Sequence, residues 1–288
     1  MPIALIAAMR PKQWTKNLVI FAGLVFSQNF FHLGFLKVSV LAFIAFCLNA
    51  SSVYIINDIK DLEQDRLHPV KKFRPLPAGR ISTRQAAFLS VILAVISLAL
   101  AFWLNLHYGA LLALYWVMMI VYSFALKHVV IVDIMIISAG FIIRAISGAV
   151  VLDVMISRWL LACAIFLSLF LILAKRRNEI VELGANASEH RAILDEYGER
   201  FLDQMIAVVT ACTVISYVLY TLDPGTVQKF HTANLILTVP FVIYGIFRYL
   251  YLVYQKNMGG RPEMILLADR PLLLSVFLWV AVSVFILY

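Results

Sequence analysis

Leu160-Leu161-Ala162-Cys163-Ala164-Ile165-Phe166-Leu167-Ser168-Leu169-Phe170-Leu171-Ile172-Leu173-Ala174 runs without a single charge and stops on Lys175-Arg176-Arg177. A helix that crosses a bilayer needs roughly 20 mostly apolar residues. Leu272–Tyr288 repeats the pattern near the other end of the chain, again without a charge. Of the 288 residues, 63% are hydrophobic and 14% charged, against about 45–50% and about 25% in an ordinary soluble domain. That much apolar surface is stable only in lipid. The chain therefore reads as an all-α, polytopic membrane protein.

Working outward from that run, nine apolar segments emerge. They lie near Asn17–Phe35, Leu36–Ile56, Thr83–Asn105, Tyr108–Ala125, Ile131–Leu152, Trp159–Ala174, Met205–Leu222, Leu235–Tyr254 and Leu272–Tyr288. The expectation is about nine transmembrane helices in a single domain over residues 1–288. Arg10, Lys12 and Lys16 near the start lack a small-residue cleavage site, so no removable signal peptide is read there. Cys47, Cys163 and Cys212 all fall in apolar stretches and read as packing residues.

Charge divides the loops into two sets. The N-terminus and the loops near 57–82, 126–130, 175–204 and 255–271 hold most of the 24 lysines and arginines. By the positive-inside rule that side is cytoplasmic. An odd number of spans then leaves Tyr288 on the opposite side. The expected location is a cell (inner) membrane, with the N-terminus and the chemistry facing the cytoplasm. The net charge of +8 belongs to these loops; no basic stripe with aromatic platforms suggests nucleic acid. Ala185–Arg200 reads as an amphipathic helix or lid, or as a plain solvated face.

One of these loops carries chemistry. Asn57-Asp58-Ile59-Lys60-Asp61-Leu62-Glu63-Gln64-Asp65-Arg66 spaces Asp58, Asp61 and Asp65 at i, i+3 and i+7, which share one face of a continuing helix. Three carboxylates aimed at one point repel unless a cation sits among them. Hard oxygens suit Mg²⁺, which keeps several waters and is completed by substrate phosphates. A solvated, charge-mixed loop is the alternative, because Lys60 and Arg66 are interleaved. The next stretch, His68-Pro69-Val70-Lys71-Lys72-Phe73-Arg74-Pro75-Leu76-Pro77-Ala78-Gly79-Arg80, is basic and stiffened by three prolines. Carboxylates for a metal beside cations for phosphate make a site for a Mg²⁺-bound diphosphate.

Asn57-Asp58-x-x-Asp61-x-x-x-Asp65, then His68-Pro69, Arg74-Pro75-Leu76 and Gly79, strongly resembles the first signature of the UbiA superfamily of intramembrane prenyltransferases. Arg10-Pro11-Lys12-Gln13-Trp14-Thr15-Lys16-Asn17 resembles its opening, and the likeness spans nearly the whole chain. It implies a UbiA-like bundle with Asp58, Asp61 and Asp65 as metal ligands and catalytic residues. Typical members carry a second Asp-rich motif, where this chain has Lys175-Arg176-Arg177-Asn178-Glu179. Cations there would hold phosphate directly, unless they are a positive-inside anchor. Tyr122-Ser123-Phe124-Ala125-Leu126-Lys127 with that cluster is similar to the decaprenyl-phosphate phosphoribosyltransferase branch. That branch moves ribose 5-phosphate from phosphoribosyl diphosphate (PRPP) onto a polyprenyl phosphate.

The activity so implied is Mg²⁺-dependent phosphoribosyl transfer in the bilayer, with PRPP and a polyprenyl phosphate lipid as partners. Candidates for substrate binding are Lys16, Asn57, Lys71, Lys72, Arg74, Tyr122, Lys127, Arg144, Lys175 and Arg176. Arg144 earns its place by depth: a charge inside an apolar segment costs at least about 2.5–3.5 kcal/mol on insertion scales. A structural pairing is the other reading of Arg144. The lipid tail calls for a lateral groove between helices. Two rivals remain: a prenyltransferase joining an isoprenoid diphosphate to an aromatic or other acceptor, and a transporter. The transporter is disfavoured because the acidic loop has no counterpart in the second half.

Overall fold

A computed structural model of the chain describes residues 2–26, 31–183, 196–260, 265 and 268–287. Every regular element among them is helical. Among the described residues, eight helices are long and apolar enough to cross a membrane: Leu33–Lys60, Thr83–Leu104, Leu106–Phe124, Val132–Val150, Arg158–Glu182, Glu199–Leu222, Asn234–Lys256 and Arg270–Leu287. The first apolar stretch of the sequence, near Asn17–Phe35, takes a different form. Up to Phe26 it is a 3₁₀ run, Pro11–Phe21, followed by the five-residue helix Ala22–Phe26. Pro11 and Pro2 open the two N-terminal helices, because a helix start has no use for the missing N–H. Most of Ala185–Arg200 falls outside the described residues, as do Arg261 and Tyr288.

In chain order we label α1 Pro2–Ala8, α2 Ala22–Phe26, α3 Leu33–Lys60, α4 Leu62–Leu67, α5 Thr83–Leu104, α6 Leu106–Phe124, α7 Val132–Val150 and α8 Arg158–Leu183. They continue with α9 Glu199–Leu222, α10 Pro224–Phe230, α11 Val239–Lys256 and α12 Arg270–Leu287. Two compact units are present: residues 1–136 with 143–155, and residues 137–142 with 156–288.

In the first unit α3 packs against α5, α6 and the 3₁₀ run. Local chemistry sets the helix ends. Ser82 and Gln85 form a reciprocal cap at the start of α5, each side chain taking the other's backbone N–H at 3.3 and 2.9 Å. Asn105 alone joins α5 to α6, its side-chain Oδ1 accepting from the His107 and Tyr108 amides at 2.8 and 3.1 Å. The core is built on Phe46, Tyr108, Leu112 and Tyr115, all fully buried. Small polar residues tie the helices where lipid offers no hydrophobic drive: Asn49 to Ser97 at 3.2 Å and Ser52 to Ser90 at 3.0 Å. At Gly23 and Gly148 the backbones nearly touch. A Cβ on Gly148 would fall on the Ile20 carbonyl, and one on Gly23 on the Gly148 carbonyl.

The second unit pairs α8 with α9 and α11 with α12. Its ties include Tyr217 to Thr238 at 2.6 Å, the Trp279 indole donating to Tyr217 at 2.7 Å, and Ser275 donating to the Phe241 carbonyl at 2.9 Å.

Candidate active site

The acidic stretch begins inside α3, whose last turn carries Asn57 and Asp58. At Asp61 the helix bends (φ −95°, ψ 13°) and restarts as α4. Amide hydrogen bonds nevertheless continue across the bend, Asp61 to the Asn57 carbonyl at 2.9 Å and Asp65 to the Asp61 carbonyl at 2.8 Å. The i, i+3, i+7 register therefore survives a break that the sequence does not announce.

Arg74 organises two of the carboxylates. Its Nη1 donates to Asp58 Oδ1 at 3.0 Å and to Asp65 Oδ2 at 2.7 Å. Both acids are buried, at 4% and 1% exposure. A like-charged pair this deep is stable only with cations against it. Arg10 supplies a second contact to Asp58 Oδ1, and Lys71 approaches Asp65 Oδ1 at 3.5 Å. Asp61 takes partners of its own: Lys127 Nζ at 2.5 Å and the Asn57 amide nitrogen at 3.1 Å. Among the described residues no group of three acidic, histidine or cysteine side chains stands ready to hold a metal by itself. The arrangement is an acid–base lattice of three carboxylates interleaved with Arg10, Lys71, Arg74 and Lys127.

Arg10 is absent from the sequence-based candidates. Its backbone is left-handed (φ 54°, ψ 60°), unusual for a residue with a side chain, and its guanidinium lies 5.1 Å from the Tyr54 ring centroid. The available signal was Arg10-Pro11, since a following proline pushes the preceding residue away from right-handed helix. That signal marks a break, and only the fold shows where the break aims the side chain.

The other candidates divide. Lys72 is exposed, with its ammonium 5.3 Å from the Phe73 ring. Lys16 is half-buried on the 3₁₀ run, and Tyr122 is buried near the end of α6. Arg144 is 5% exposed inside the first unit's aromatic core. Its Nε donates to Asn17 Oδ1 and its Nη2 to the Tyr115 hydroxyl, both at 2.7 Å. Phe46 and Tyr115 present ring faces 5.4 and 4.8 Å from its charge. Phe46 lies twelve residues before Asp58 on α3, about 18 Å along the helix. The hydrogen bonds described for Arg144 go to Asn17 and Tyr115.

Lys175 and Arg176 belong to the second unit. Both meet Glu179, Lys175 at 3.8 Å and the 3%-exposed Arg176 at 2.5 Å. Arg177 is tied elsewhere, donating to Asp203 at 2.6 Å and lying 4.4 Å from the Tyr254 ring centroid, while the Tyr254 hydroxyl donates to Asp203 at 3.0 Å. Asn178 accepts the Gly259 amide at 2.7 Å. Arg248 and Asp269 form a two-pronged ion pair at 3.1 and 2.8 Å, which holds the Asp269 carboxyl below its ordinary range. An apolar groove of about 470 Å³ runs along α9 and α11 between Ile206 and Tyr254.

Residues 17–262 match the UbiA prenyltransferase family. Decaprenyl-phosphate phosphoribosyltransferase of Mycolicibacterium smegmatis is 35% identical, over 96% of this chain and 90% of that protein. The protein of the same name from Corynebacterium glutamicum is 32% identical, over 99% and 86%. A UbiA homolog from Archaeoglobus fulgidus, solved bound to GPP and Mg²⁺, superposes with a TM-score of 0.73 at 19% identity, covering 99% of both chains. Multi-pass helical architecture, an acidic–basic lattice in the signature loop and a match across the chain agree: this protein belongs to the UbiA prenyltransferase family.

Proposed function

We propose that this chain, acting as one transferase domain over residues 1–288, moves the 5-phosphoribosyl unit of PRPP onto a polyprenyl phosphate and releases diphosphate. The observation that carries the reading is the lattice at Asp58, Asp61 and Asp65, where four cations stand against two buried carboxylates and a half-buried one. Relatives named for this activity match almost end to end, which supports it. The missing second acidic motif also favours it, because a donor with a diphosphate and a separate 5-phosphate demands cations.

The donor set suits Mg²⁺ of the open kind, which takes one or two carboxylates and leaves positions for water and phosphate. Asp58, Asp61 and Asp65 are the residues that would hold it, and the Archaeoglobus homolog's Mg²⁺ supports a divalent ion. When bound, the ion neutralises charge gathering on the departing diphosphate. Arg10, Lys71, Arg74 and Lys127, released from their carboxylates, turn to phosphate oxygens. Asn57 orients Asp61 through its amide. Lys16, Lys72 and Tyr122 are the further substrate contacts proposed in the first unit; Lys175 and Arg176, on the second unit, are proposed phosphate ligands in their own right.

Transfer breaks the bond from the anomeric carbon to the diphosphate oxygen and forms one to a lipid phosphate oxygen on the opposite face, inverting that carbon. The nucleophile is already anionic, so no base is needed. Charge on the ring in the transition state resembles that of glycosyl transfer generally. The apolar groove beside α9 and α11 offers the kind of surface a polyprenyl tail requires. We place the reaction on the cytoplasmic side of the cell (inner) membrane, where the basic loops gather.

The test gives purified protein labelled PRPP or labelled prenyl diphosphate with lipid extract, with and without Mg²⁺. Ribosylated lipid and free diphosphate should form only from PRPP and only with the ion. Asp58→Asn should abolish turnover while the protein stays folded in detergent. Product from prenyl diphosphate with an aromatic acceptor would replace this reading with the prenyltransferase one.

A further inference from the structure

The lattice depends on where the 68–74 turn delivers Lys71 and Arg74, and one side chain holds that turn shut. His68 Nδ1 accepts the backbone N–H of Val70 at 3.1 Å and of Lys71 at 3.2 Å. Pro69 between them has no N–H to offer, so these are the first two amides available after His68. The rest of the turn closes behind them, Lys72 donating to the His68 carbonyl at 3.3 Å and Arg74 to the Lys71 carbonyl at 2.9 Å. Three residues on, Arg74 reaches Asp58 and Asp65, while Lys71 reaches Asp65 directly.

An imidazole that accepts at Nδ1 is neutral and carries its proton on Nε2. The ring thus serves here as a fixed acceptor standing two bonds beyond its Cβ. Without it the Val70 and Lys71 amides lose their shared partner, and the turn gains freedom where two phosphate-seeking cations originate. Leu67, Val70 and Phe73 on the same segment are exposed at 87%, 60% and 66%. Little apolar packing is left to hold the turn in place of the hydrogen bonds.

We propose that His68 is a positioning residue for the donor's phosphates, acting through the Val70 and Lys71 amides to set Lys71 and Arg74. This rests on the PRPP reading given above. Side-chain chemistry separates the role from general structural support. Asparagine places its carbonyl oxygen where Nδ1 sits, whereas glutamine places its own nearer the Nε2 position.

The experiment compares His68→Ala, His68→Gln and His68→Asn with the wild type, as full-length protein in lipid nanodiscs. Residue-resolved hydrogen exchange reads the Val70 and Lys71 amides, and titration reads PRPP affinity. In Ala and Gln both amides should exchange faster, and PRPP Kd and KM should weaken about tenfold, the scale of one ordinary hydrogen bond, with kcat changing less. His68→Asn should recover both slow exchange and affinity. Equal losses in Asn and Gln, or faster exchange with unchanged PRPP affinity, would overturn the positioning role. Slow wild-type exchange in a protein that binds no PRPP would instead overturn the donor assignment and leave the turn's lock standing.

Discussion

A guanidinium eleven residues past Asp133 on α7 lies about 16 Å deeper along the helix. Nothing in its spacing distinguishes a phosphate ligand from a structural pin. The two hydrogen bonds to Asn17 and Tyr115 and the two ring faces support the pin, which we propose here. Arg144→Ala should lower stability in detergent by about 2–3 kcal/mol, because Asn17 Oδ1 is left unpartnered in the core. Arg144→Lys should not rescue it, since one ammonium cannot serve both partners and stack on a ring. Thermal melting of both variants checks this; a stable Arg144→Ala protein with weakened PRPP affinity would return the residue to substrate binding. At the same scale, Asp58 and Asp65 were legible from their register alone. Arg10 was not, because its role depends on a left-handed backbone that carries it from before the 3₁₀ run to the end of α3.

Elements are joined here by close backbone approach as much as by side chains. Gly23 and Gly148 bring the 3₁₀–α2 segment against α7, and small residues at such crossings let main chains meet. Gly148→Ala should destabilise by about 3 kcal/mol, at the upper end for overpacking, because backbone rather than a flexible side chain stands in the way. A melting temperature equal to wild type would show that the crossing yields. Hydropathy located the long helices well, since each must bury an apolar length. The first apolar stretch differs in helix type: its described part is 3₁₀ and short α-helix rather than one long α-helix. Composition there matches a span, while Pro11 and the Asn17 tie to Cys47 at 3.2 Å belong to a 3₁₀ run. The bend at Asp61 was equally invisible, for Lys60-Asp61-Leu62 reads as continuous helix.

At the scale of the molecule, the eight apolar helices among the described residues and the family make this a multi-pass membrane protein, and loop charge predicts which way it faces. A Phe73→Cys variant lacking Cys212, which is half-buried rather than buried, provides the check. An impermeant maleimide should label it in inverted vesicles and not in intact cells; labelling of intact cells would reverse the orientation. By itself the sequence determined a lipid-embedded helical chain, the carboxylate register and the basic loop that follows, because burial in lipid and helical periodicity act over a few neighbouring residues. Only the tertiary structure decided which cation meets which carboxylate, that Arg144 meets Asn17 and Tyr115, and that Arg177 binds Asp203. Those partners lie up to 127 positions apart, and pairing between distant residues is set by how helices pack, which spacing along the chain does not encode.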